Sequence, residues 1–218
     1  MFEQILVGGP DEATAATATS LRVEPAQERS LARIDALLDA AATVVDDLGF
    51  DRLSTAQVAE LAGASIGTVY RYFPDRIALL VALRDRAVMR YRQAASVAMD
   101  KQSPNTWQEV VALLADVFAS MFRSEPGFRI MRYEEVGGVE DASASEDHVV
   151  SFSERVAEIL VASYGFTMNE DLVFRLRIAS QMAEALIERA YLREAQGDER
   201  MLAEAGIVAI AYLEKYYA

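Results

Sequence analysis

The sequence predicts an all-α protein in two parts, an N-terminal three-helix unit built on a helix-turn-helix and a larger C-terminal helical domain. Three observations predict this. Residues 53–80, LSTAQVAELAGASIGTVYRYFPDRIALL, read as two short helices joined by a glycine turn and followed by a long helix. Apolar side chains recur at three- and four-residue spacing along most of the chain, the period of a helix with one buried face. The segment IVAIAYL, from Ile207 to Leu213, is apolar nearly all round, as expected of a helix covered on several sides.

Residues 1–27 are rich in Ala, Thr and acid (DEATAATATS) and read as a mobile arm, with Phe2, Ile5, Leu6 and Val7 able to dock. A helix-turn-helix domain spans 28–74, with its reading motif at 55–74. Its first helix carries Leu31, Ile34, Leu38, Ala41, Val45 and Leu48 at helical spacing and ends at Gly49, after which Phe50 and Leu53 seal the unit. Ser54 with Gln57 three residues later forms a capping box, so the second helix begins near Thr55. Val58 and Leu61 share its buried face, and Gly63 supplies the turn to a helix opening at Ser65. There Val69 and Phe73 face the core, leaving Ile66, Gly67, Thr68, Tyr70, Arg71 and Tyr72 on the surface. Pro74 closes this helix and Asp75 starts the next.

The remaining chain, 75–218, forms one domain that begins with a connector helix from Asp75 to about Lys101. Ile77, Leu80, Leu83 and Ala87 give that helix its buried stripe, while Arg84, Arg86, Arg90 and Arg92 decorate its surface. Ser103 and Pro104 break the chain before a fifth helix, which Thr106 starts and which ends near Glu125, Pro126 and Gly127. Residues 134–147, EEVGGVEDASASED, read as an acidic loop. Three helices follow: Ser151–Tyr164, Asn169–Gln196 and Asp198–Tyr217.

The pieces G-F, T-x-x-x-V-A, A-G-x-S-x-G-T-V-Y-x-Y-F and P-D-R-x-A-L-L, in this order from Gly49 to Leu80, resemble the DNA-binding domain of the TetR family of bacterial transcription regulators. The likeness starts near Ser30. It implies a regulator, expected to be a repressor, that binds a palindromic double-stranded DNA operator as a homodimer and is released by a small-molecule effector. Carried onto this sequence, it implies DNA contacts from Thr55, Gln57, Ser65, Ile66, Gly67, Thr68, Tyr70, Arg71, Tyr72 and Arg76. Physical chemistry accommodates these roles: hydroxyls and helix N-termini suit phosphate oxygens, and guanidinium groups suit phosphates or guanine. Ser65 and Gln57 also have local capping work, and Tyr72 could be half core. Ala56 and Ile66 stand where some members of the family place stronger base readers; Ile66 offers instead an apolar contact to a thymine methyl.

The resemblance also implies an effector cavity among the C-terminal helices. Trp107, Phe118, Met121, Phe122, Met131, Phe152 and Phe174 are candidates to line it, with Arg177 and Gln181 to orient a polar group; ordinary core and a solvated stripe are the competing readings. Leu172, Leu176, Ala183 and Ile187 on the penultimate helix, with Ile207, Ile210 and Leu213 on the last, are the expected dimer contacts, against the alternative of burial within one chain. A two-fold dimer would place its reading helices on half-sites about 34–36 Å apart, or a larger repeat.

Composition narrows the alternatives. The net charge of −13 is unevenly spread: residues 1–21 hold three acids and no base, 22–101 eleven of each, and 102–218 twenty acids and ten bases. A neutral reading domain therefore depends on correctly spaced paired sites more than on general attraction to phosphate. Cysteine is absent, which excludes disulfides and thiolate metal sites and fits a reducing, cytoplasmic setting. Neither a membrane span nor a secretory signal is expected. No catalytic motif or cofactor fingerprint occurs, and Gly8–Gly9 is a plain glycine pair. Glu140, Asp141, Glu146, Asp147 and His148 could be metal ligands, but a solvated loop is the favoured reading and no metal is expected. A helical receptor that binds no DNA and an enzyme using the acidic loop are the alternative functions.

Overall fold

A computed structural model describes residues 2–7, 25–135, 142–192, 194 and 196–217. Among these residues the chain is helical, with no strand. The helices are α1 (Phe2–Leu6), α2 (Pro25–Leu48), α3 (Thr55–Leu61), α4 (Ile66–Tyr72), α5 (Arg76–Gln102), α6 (Trp107–Ser124), α7 (Ala142–Tyr164), α8 (Glu170–Ala190) and α9 (Glu199–Glu214), with 3-10 segments at Phe50–Arg52 and Phe128–Glu135. Two compact units result. One comprises Pro10–Met89 and Glu125–Tyr133, the other Met1–Gly9, Arg90–Ser124 and Glu134–Ala218. The division thus falls inside α5, where the sequence reading set its boundary at Asp75.

In the first unit, local chemistry fixes each corner. Gly49 ends α2 at φ 85°. The α3–α4 turn is a Schellman closure in which Gly63, at φ 58°, donates to the Glu60 carbonyl and Ala64 to the Ala59 carbonyl, satisfying carbonyls that a helix end leaves open. Asp75 accepts from the Ala78 amide at 2.8 Å and starts α5. Leu37, Ala41, Val45, Leu53, Val58, Val69, Leu79, Leu80 and Leu83 form the buried core of this unit. Each fully buried Val or Leu there contributes about 1.5–3 kcal/mol.

The segment Glu125–Tyr133, which leaves the second unit and returns to it, belongs to this core. Phe128 and Ile130 are buried, and the Gly127 amide donates to the Asp46 carboxylate on α2 at 2.9 Å. Burial raises the Asp46 pKa against the opposing pull of that hydrogen bond.

Several apolar positions face solvent instead of the core. Leu31, Leu48, Leu61 and Ile77 are all about half exposed, because periodicity states which residues share a face but not how far the neighbours extend over it. Conversely, Arg84 and Arg92 are buried, each with an interaction partner in the fold. Arg86 pairs with Asp39 at 2.7 Å and donates to the Leu38 carbonyl at 2.9 Å.

The second unit packs α9 on α8 and α6, and α7 on α8. Buried Leu113, Leu114, Phe118, Phe122, Val156, Ile159, Leu160, Leu172 and Ile187 fill it, with Tyr91, Ala95 and Met99 from the end of α5. Its α7 begins at Ala142, nine residues before the expected start at Ser151. Within the arm expected to be mobile, α1 docks on α7: Leu6 is fully buried and Arg155 donates to the Ile5 carbonyl at 2.6 Å. Residues 8–24, Gly8, Gly9 and Arg22 among them, lie outside the described residues, as do Glu140, Asp141 and the side chains of Glu146, Asp147 and His148. Among the described residues no helix is long and apolar enough to cross a membrane, and no three candidate metal ligands cluster.

Candidate functional site

The first candidate surface is the outer side of the α3–α4 corner. Ser54 accepts from the Gln57 amide at 3.3 Å while its own amide donates to Gln57 Oε1 at 3.0 Å, so the capping box is closed. Ser65 caps α4 by accepting from the Thr68 amide at 3.1 Å, with the Thr68 hydroxyl 2.9 Å from its own. Val69 and Phe73 point inward, fully and almost fully buried. Ile66, Tyr70 and Arg71 are consequently exposed on the far side, beside Gly67, where an added Cβ would meet the Ser65 hydroxyl oxygen at 3.8 Å in ordinary contact.

Hydrogen bonds arrange the hydroxyls of this surface. Thr55 donates to the Tyr70 phenol oxygen at 3.3 Å. Tyr72 accepts from Ser30 at 3.4 Å and from Arg71 Nη2 at 2.9 Å, and the Arg71 guanidinium lies 4.8 Å from the centre of its ring. The Ser30 hydrogen bond, helped by Arg71, holds the Tyr72 phenol below the ordinary tyrosine range. Both phenols, already serving as acceptors, keep their protons for an acceptor outside the protein, as a phosphate oxygen is.

Two predicted residues have other work. Gln57 spends its side chain in the capping box. Arg76 turns inward, donating from Nε to the Leu53 carbonyl at 2.8 Å and from Nη2 to the Phe50 carbonyl at 2.6 Å. It ties the 3-10 segment to the start of α5. The sequence reading missed Arg33, which with Arg29, Ser30, Arg71 and Tyr72 lines a single surface concavity. The four-residue spacing of Arg29 and Arg33, one helical turn on one face, was the available signal.

The second candidate site is a cavity of about 60 Å³ inside the second unit. Tyr91 of α5, Leu114 and Phe118 of α6, Phe152, Ser153 and Val156 of α7, Leu176, Ala183, Glu184 and Ile187 of α8, and Leu213 of α9 contribute to its wall. The Tyr91 ring meets Phe118 edge-on at 5.2 Å and Phe152 at 5.2 Å, and its hydroxyl donates to the Leu114 carbonyl at 3.1 Å. Burial, with the negative charge of Glu184 second, pushes the Tyr91 phenol well above its usual range, so it remains a neutral donor.

Of the predicted cavity residues, Phe118 and Phe152 line this wall. Phe122 and Met121 are core instead, Phe122 stacking on Tyr191 at 5.0 Å. Trp107 packs edge-on against Phe166 at 6.0 Å. Phe174 is exposed and carries the Arg177 guanidinium 5.5 Å from its ring centre; Gln181 is exposed. Met131 belongs to the first unit. The expected dimer residues also divide. Leu172, Leu176, Ala183, Ile187 and Leu213 are buried inside a single chain by its own helices, as the alternative of burial within one chain expects. Ile207 is 56% exposed and Ile210 partly so.

Comparisons with known proteins agree with this geometry. The family described as "Bacterial regulatory proteins, tetR family" matches residues 37–83, and "Tetracyclin repressor-like, C-terminal domain" matches 105–217. A TetR-family transcriptional regulator from Streptomyces coelicolor superposes with a TM-score of 0.71 at 28% identity, over 87% of this chain and 100% of that one. Thermus thermophilus FadR, a TetR-family repressor solved with lauroyl-CoA, has the same fold, with a TM-score of 0.60 at 20% identity over 84% of this chain and 94% of its own. The HTH-type transcriptional repressor KstR of Mycobacterium tuberculosis is 31% identical over 81 residues, so the match spans 37% of this chain and 37% of that curated relative. With one family description matching the helix-turn-helix and the other more than half of the sequence, the chain belongs to the TetR family of bacterial transcription regulators.

Proposed function

We propose that this regulator is a repressor that binds a palindromic operator as a homodimer and is released by a small molecule in the cavity of its second unit. The observation that carries the DNA half is the outer face of α4, where Thr68, Tyr70, Arg71 and Tyr72 present hydroxyls and a guanidinium beyond a buried Val69–Phe73 seam. On this reading α4 enters the major groove, where Ile66 meets a thymine methyl and Gly67 lets backbone approach. Thr55, Tyr70, Tyr72 and Arg71 hold phosphates, joined by Arg33. Gln57, Ser65 and Arg76 support the corner and are not base readers. The KstR and FadR names, both repressors, favour the sign of regulation.

The effector half rests on chain continuity. The cavity wall draws on α5, α6 and α7. The first part of α5, and Glu125–Tyr133 between α6 and α7, belong to the unit that carries α4. A ligand that prefers one arrangement of these walls therefore biases elements covalently continuous with the reading unit, and linkage requires that DNA weaken ligand binding by the same factor. For the dimer, Ile207 and Ile210 of α9 with exposed Phe174 of α8 are apolar groups available to a second copy.

The test is a fluorescence anisotropy titration of the full chain against palindromic segments from its own genomic neighbourhood, repeated across salt. Specific binding with a salt slope set by a few phosphate contacts per subunit is expected. Absence of specific binding to every such segment would leave a helical receptor that reads no DNA.

A further inference from the structure

The effector cavity carries an unsatisfied group. The Ser153 hydroxyl lines it, is 2% exposed as a residue, and has no hydrogen-bond partner. Buried polar side chains are nearly always paired, so an open hydroxyl in a cavity wall marks where a ligand atom completes the bond. The rest of the wall is apolar apart from the Tyr91 phenol, committed to Leu114, the Ser180 hydroxyl, committed to the Arg177 carbonyl, and the Glu184 carboxylate. No Arg, Lys or His is among the described residues that line it.

These features select a ligand. An anionic head would be buried with no Arg, Lys or His among the described lining residues and with the carboxylate of Glu184, itself already engaged, in the same wall, and a buried charge left unpaired is costly. A hydroxyl meets Ser153 in either direction, accepting its proton or donating to its oxygen. Room is limited too: about 60 Å³ is well below the roughly 150 Å³ engineered cavity that accepts benzene, so only a small occupant fits. We propose that this cavity takes a small, uncharged molecule with an apolar body and a single hydroxyl, held by Ser153, and rejects the corresponding carboxylate. The proposal rests on the reading of the cavity as the effector site.

The test uses the full chain with three probes of similar length: propan-1-ol, 1-chloropropane, which lacks the hydroxyl, and propanoate. Thermal midpoint and titration calorimetry report binding. Propan-1-ol should raise the midpoint, with the chloride about tenfold weaker and propanoate without effect. Ser153→Ala should bring the alcohol down to the level of the chloride, and Ser153→Thr should restore part of the difference. Binding of propanoate as tight as that of the alcohol, abolished by the cavity-filling Ala115→Leu, would overturn the proposed ligand class while leaving the cavity as the effector site. If none of the three probes binds, or Ala115→Leu leaves binding intact, the cavity reading and the proposal fall together.

Discussion

Thr55 in the first turn of α3 donates its hydroxyl to the Tyr70 phenol oxygen in the middle of α4, across 3.3 Å. The bond joins the two helices on the face that the proposal turns toward DNA. It also orients the Tyr70 proton outward, since the oxygen is already an acceptor. Tyr70→Phe, which deletes the bond and the outward donor but keeps the ring, should weaken operator binding by about 5–30-fold, from one or two hydrogen bonds at about 1 kcal/mol each. Tyr70→Ala and Arg71→Ala should weaken it further while leaving the dimer intact. Anisotropy titration beside size-exclusion chromatography checks both halves, and loss of the dimer in these variants would contradict the assignment.

Arg76 gives the opposite signature. Its fork satisfies the Phe50 and Leu53 carbonyls, which neither water nor a shorter side chain reaches as well. Arg76→Ala should therefore cost about 2 kcal/mol of stability, and Arg76→Lys nearly as much, because an ammonium cannot match the two-pronged geometry. Urea unfolding measures this. If Arg76 were a phosphate contact instead, its removal would lower the salt slope of DNA binding by about one unit without a stability loss of this size.

What the sequence made legible was the chemistry carried by neighbours in the chain. The Ser54–Gln57 box, the Gly63 turn, the Ser65 cap and the Pro74–Asp75 junction are all as expected, because each depends on residues within four positions. The Val69–Phe73 seam followed from spacing alone. Long-range features were illegible for the same reason. Nothing local says that Arg76 reaches Phe50, that Arg84 is buried while Ile77 is exposed, or that Phe122 stacks on Tyr191 when its neighbour on the helix, Phe118, lines a cavity. The cavity wall draws on five helices and only then brings Ser153 and Glu184 together with Tyr91 and Ser180 as its polar members.

Gly127 illustrates a constraint of this long-range kind. Its φ is +76°, and a Cβ there would lie 2.7 Å from the Ala42 Cβ and 2.8 Å from its Cα, so neither backbone geometry nor space admits a side chain. Gly127→Ala should destabilise the first unit by about 3 kcal/mol, combining left-handed strain with overpacking, as a lower midpoint in urea unfolding. Its partner Asp46 should respond to pH. A carboxyl whose folded pKa is raised by burial adds stability below its unfolded pKa and loses it as pH climbs through the folded value. Asp46→Asn keeps an acceptor for the Gly127 amide and removes that loss. The variant should therefore gain on the parent as pH rises above the ordinary aspartate value of about 4, read as a pH-dependent difference in urea midpoint.

The α8–α9 surface separates packing from association. Leu176 is buried within one chain and lines the cavity, whereas Ile207 is 56% exposed on α9. Leu176→Ala should cost about 2–5 kcal/mol of stability through lost burial and an enlarged void, with no direct effect on a dimer contact. Ile207→Glu removes no intrachain packing of that order, so its fold, followed by circular dichroism and melting, should remain near the parent's. In a two-fold interface each substitution acts twice, setting a carboxylate from each copy against an apolar surface. Equilibrium sedimentation at micromolar concentration should then show the parent as a dimer and Ile207→Glu as a monomer. A parent that sediments as a monomer, or an Ile207→Glu variant as firmly dimeric as the parent, would remove this face of α9 from the interface.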